Sequence, residues 1–265
     1  MNRAIASRMF TGVCALVFLP SLVIAGDLTK TAERLLREQD KFIVNEVLSE
    51  NPVSTIPALI AFVVALFAIV GLAVGAAGGW RQACASAVKI PLLQLTTFTV
   101  CFPVMILGSL MTGTGLTASE IIRFVLLGLT TEALVMISLA PIIVFFSCQS
   151  RYDFTKLLIV AAFALSAVVS MSGLLDAMAV LSAARGILPA DSIWLFKIWI
   201  AAFGFVGMQM AWLLRPCIGS PELEFEWLRP LGQGGNFYTA VMASVRKMFE
   251  GNPPPPPPKP IGFGQ

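Results

Sequence analysis

Five long apolar stretches separated by short polar ones run through residues 53–214. They predict membrane-spanning helices at about 56–79, 89–111, 120–146, 156–184 and 192–214, because about 20 apolar residues rising ~1.5 Å each cross a hydrocarbon core of ~30 Å. The second and third of these, between Ser86 and Phe146, read as a hairpin around which the rest is organised. Thr117, followed three residues later by Glu120, has the spacing of a capping box that starts the second helix of that pair. In the first span Gly71, Gly75 and Gly78 form a small-residue stripe, the feature that lets a second helix approach closely in lipid. Pro91, Pro103 and Pro141 fall inside spans, where each removes one backbone hydrogen bond.

The flanks follow other patterns. Residues 1–26 place Arg3 and Arg8 ahead of an apolar run ending in the small-residue site Val23-Ile-Ala25, which predicts either a cleaved signal peptide or a signal anchor. Residues 27–52 form an amphipathic surface segment, with Leu35, Ile43 and Val47 opposite mixed charge. After Arg215 the apolar spans stop. Acidic and apolar residues alternate from Glu222 to Trp227, and Asn236 then caps an amphipathic helix carrying Phe237, Val241, Val245 and Met248 on one face, with Arg246 and Lys247 beside it. Residues 215–250 therefore read as a cytoplasmic juxtamembrane segment. In 251–265, six consecutive prolines force an extended polyproline conformation that builds no core.

The fold class that follows is an all-α integral membrane protein. Five core transmembrane helices are preceded by a signal peptide or anchor and an amphipathic N-terminal helix, and followed by a partly disordered C-terminal tail. Composition agrees: of 265 residues 57% are hydrophobic and 12% charged, about half the charge of soluble domains. A net charge of +3 without a basic stripe gives no footprint for nucleic acid. Complete absence of histidine removes His-based acid–base catalysis and His ligation of metals. The five cysteines are scattered with no CxxC pair, so no metal site and no cofactor is expected. With the loop after the first span inside, nine loop and tail Lys/Arg residues face the cytoplasm and five face outward. The positive-inside rule then places the C-terminus in the cytoplasm of a multi-pass bacterial inner-membrane protein.

The segments SAVKIPLL from Ser86, CFP from Cys101, LAPIIVFF from Leu139, RPCIGSP from Arg215 and GNFY from Gly235 resemble a family of uncharacterised bacterial multispanning integral membrane proteins, distantly similar to the Yip-type five-span proteins. The resemblance implies a five-helix membrane bundle with an amphipathic N-terminal segment and a soluble C-terminal tail. It implies no catalytic residues.

Two constellations carry candidate chemistry. Glu132 stands about halfway through the third span. A charged carboxylate there costs several kcal/mol, so it is protonated, paired or facing water. With Gln94, Thr97 and their neighbours Thr96 and Thr99 it forms a candidate intramembrane ion or proton site, or a purely structural interhelical bond. Gly128, one turn earlier, admits a close neighbour. Asp176 and Lys197 lie at similar distances on either side of the turn near residue 187. The stripes Ser166, Ser170, Gly173, Ala177 and Lys197, Ala201, Gly204, Met208 would bring them together as a structural ion pair. No nucleophile stands opposite a base, and no enzyme is expected. The partners expected are the lipid bilayer and a cytoplasmic protein recruited by the tail. Two functions follow: a non-catalytic scaffold or accessory subunit, or a channel or transporter component that moves a proton, cation or small solute past Glu132.

Overall fold

Several helices begin or end where glycine or a capping side chain dictates. In the computed structural model, which describes residues 55–113, 115–149, 152–184, 189–214, 227 and 236–250, α1 (Thr55–Gly75) closes in a short 3-10 turn, Ala76–Gly78. Gly79 then takes φ of +89° and breaks the path before α2 (Trp80–Thr112), a conformation open to glycine and costly for a side chain. The α3 helix (Ala118–Gln149) starts on the predicted capping box. The Thr117 amide donates to Glu120 Oε2 at 2.7 Å and the Glu120 amide to Thr117 Oγ1 at 3.4 Å. Next come α4 (Tyr152–Ala184), α5 (Pro189–Leu213) and α6 (Phe237–Glu250). Asn236 caps α6 through Oδ1, which accepts from the Thr239 amide at 2.9 Å.

Five of these helices are long and apolar enough to cross a bilayer. The protein is thus an all-helical, polytopic membrane protein in contact with lipid. Where boundaries differ from the pattern, the reason is local. The α2 helix begins at Trp80, nine residues before the apolar run, because the intervening RQACASAV holds good helix formers and no breaker. The segments 1–52, the proline tail, and all of 215–235 except Trp227 lie outside the described residues.

Packing centres on α3. Its residues 123–133 are all buried, three turns covered on every side, with α1 and α4 packed against it and α1, α2, α5 and α4 following one another around it. The α1 helix turns Val63, Phe67, Val70 and Val74 inward, the spacing of one helical face. Gly71 and Gly75 bear directly on the α2 backbone at Ser86–Ala87 and Gln82–Ala83, so two glycines of the stripe make the close crossing its spacing predicts, while Gly78 lies exposed in the 3-10 turn. Buried Phe196, Trp199 and Phe203 of α5 form an aromatic column. Phe196 meets Phe124 of α3 edge-on at 5.6 Å, and Trp199 Nε1 donates to the Cys101 carbonyl of α2 at 3.0 Å.

Candidate functional site

Most hydroxyls in the spans satisfy themselves. Thr97 Oγ1 donates to the Leu93 carbonyl, Thr99 to Leu95, Thr130 to Leu126 and Thr131 to Leu127, each one turn back along its own helix. Ser170 is different. Its Oγ crosses from α4 to the Gly128 carbonyl of α3 at 2.6 Å, and Leu174 seats on Gly128 where any side chain would collide with it. The close approach expected beside Gly128 is therefore made by α4.

One turn above Gly128, Glu132 is 4% exposed. Gln94 Nε2 of α2 donates to Glu132 Oε1 at 2.7 Å, while the buried Oε2 has no hydrogen-bond partner among the described residues. Of the three residues grouped from sequence, Glu132 and Gln94 meet. Thr97 is wholly buried, but its hydroxyl is committed to Leu93 and its methyl faces α5 beside Gly207. The arrangement can hold or exchange one proton, or offer one carboxylate oxygen to a small cation. It holds no nucleophile activated by a base.

Asp176 and Lys197 do not meet. Both are exposed, and no ion pair joins them. The stripe expected to bring them together packs elsewhere: Ser166, Ser170 and Ala177 are buried, with Ser170 and its neighbour Leu174 committed to α3. On α5 the large aromatic face of Phe196, Trp199 and Phe203 wins the bundle side because it buries far more apolar area. Lys197, Ala201 and Gly204 consequently turn outward.

Sequence reading passed over a second polar cluster at the other end of α4. Ser244 of α6 is buried. Its hydroxyl lies 3.1 Å from Asp153 Oδ1 and accepts from Lys156 Nζ at 2.9 Å, and Lys156 also pairs with Asp153 at 3.4 Å. This ties α6 to the first turn of α4, where the membrane span begins. The signal was present in Asp153 and Lys156 sharing a helix face at i, i+3, but nothing local to Ser244 pointed to them. Lys89 and Arg123 were likewise not singled out, and both are wholly buried. The Lys89 ammonium sits 5.4 Å from the Trp227 ring centroid, within reach of a cation–π contact.

A small crevice of ≈30 Å³ opens beside Trp199, lined among others by Met105, Ser109, Leu116, Met178 and Phe196. It has room for about one water and does not reach Glu132. Against family models, curated proteins and solved structures, the chain matches none.

Proposed function

We propose that the protein is a non-catalytic membrane scaffold or accessory subunit whose bundle fixes a C-terminal segment at the membrane surface, there to position a cytoplasmic partner. The observation that carries this reading is the docking of α6 onto α4 through Ser244, Asp153 and Lys156. An isolated 14-residue helix is marginal in water, and here its place is set by the bundle. Five spans are the number that the Yip-type resemblance implies, and the excess of lysine and arginine on one side would put this segment in the cytoplasm; a bacterial inner-membrane location is part of this proposal. The test is affinity purification from membranes of the full chain, a chain ending at Gly251 and a chain ending at Arg215. A partner lost with the last truncation supports the scaffold; three forms that purify alone and equally folded defeat it.

A second reading rests on Glu132. An interior carboxyl oxygen with no hydrogen-bond partner among the described residues is the feature a proton or cation path needs, and it favours a channel or transporter component. Cation and proton flux in liposomes decides, since Glu132→Gln abolishes flux only under this reading.

A further inference from the structure

The face that α4 and α5 turn away from the bundle carries one charge of each sign. Asp176 and Lys197 are both exposed and neither makes a hydrogen bond or ion pair among the described residues. They are level: Asp176 precedes the end of α4 by eight residues and Lys197 follows the start of α5 by eight, about 12 Å of helix in each case. Exposed Trp194, of the type that marks a lipid–water interface, lies one turn before Lys197, so the charges sit inside that level. A lysine there can reach back toward water along its four-carbon stem; an aspartate, with one methylene, cannot. Left against lipid, Asp176 is costly.

The surface around the charges suits a helix neighbour. Only 17% of the α5 span is buried, against 50% of α3. Lys197, Ala201 and Gly204 follow one another on its outer side, and a side chain placed at Gly204 meets nothing within 4 Å. On α4, Ser172, Asp176 and Val180 are exposed one turn apart. We propose that this α4–α5 face is the contact between two copies of the chain in the membrane, Asp176 of each copy pairing with Lys197 of the other. A two-fold axis along the membrane normal preserves depth, so only groups at equal depth can pair across it, and a two-fold contact demands a patch complementary to itself. One acid and one base at the same level meet both conditions. The small residues beside them let the helices close, and two reciprocal ion pairs form where lipid strengthens them.

The test uses charge reversal in the full-length chain, carrying two different tags and extracted in lipid nanodiscs. The unaltered protein should be a dimer by mass photometry. Asp176→Lys alone places two lysines at each contact and Lys197→Asp alone two aspartates, and each should lower self-capture by about tenfold or more. Co-expressed, the two variants should capture each other at the unaltered level, because both contacts are then attractive. A pair formed within one chain gives no such mutual rescue. A monomeric unaltered protein overturns the proposal, as do reversals that self-capture normally, a mixed pair no better than either variant alone, or a different membrane protein recovered in place of the second copy. Should the reversals fail to fold, Asp176→Asn and Lys197→Gln are read by the same mass measurement. A dimer weakened in each supports the contact, and a dimer unchanged in both removes it.

Discussion

Gln94 and Glu132 hold hands across the two helices that follow each other in the chain, 2.7 Å apart, although α2 and α3 touch little elsewhere. The amide gives the carboxyl its one hydrogen bond among the described residues. Glu132→Gln keeps an oxygen for Gln94 to bond and should cost less than about 1 kcal/mol. Gln94→Leu strips a buried carboxyl of its partner and should cost about 2–3 kcal/mol. Thermal unfolding in detergent separates the two, and equal losses would show that the bond is not what holds this pair.

The helix crossings set a second ranking. At Gly71 an added methyl meets the α2 backbone at Ser86 and Ala87, whereas at Gly128 it meets only the Leu174 side chain. Backbone cannot yield; a leucine can turn. Gly71→Ala should therefore destabilise by about 2–4 kcal/mol and Gly128→Ala by about 1–2 kcal/mol. The midpoint of heat-induced aggregation, followed for both variants, would contradict this if the order reversed.

Trp199 combines a hydrogen bond with aromatic packing. Replacing it by Phe removes the Nε1 donor to the Cys101 carbonyl and should cost about 1 kcal/mol. Replacing it by Ala also empties the column between Phe196 and Phe203, for about 3–5 kcal/mol. Trp199→Phe as damaging as Trp199→Ala would mean that the indole nitrogen, not the packing, dominates.

Docking of α6 is open to proteolysis. Ser244→Ala breaks contacts to both Asp153 and Lys156. A loss of about 1 kcal/mol should raise the open fraction of α6 roughly fivefold. Trypsin cleavage after exposed Arg246 and Lys247 should accelerate by the same factor, and an unchanged rate would show that the cluster does not hold the helix.

Hydropathy located the five spans, and the spacing and type of polar residues the two capping motifs, since the bilayer sets helix length and capping is local. The Gly71–Gly75 crossing and the Gln94–Glu132 bond were legible for the same reason: few residues in an apolar helix permit close approach or demand a polar partner. Which faces would pair was not. Choosing α3 rather than α5 as the neighbour of Ser170 depends on the larger aromatic face of α5 competing for the interior, a comparison between helices that no single stripe contains. Ser244 depended on a contact 91 residues away in sequence.

Trp227 over Lys89 and Ser244 between Asp153 and Lys156 are two anchor points, one on α2 and one on α4. A single pin lets an arm swivel; two separated pins give it a bearing. The α6 helix thus stands at a set origin and along a set heading against the bundle, one orientation instead of a hemisphere of them.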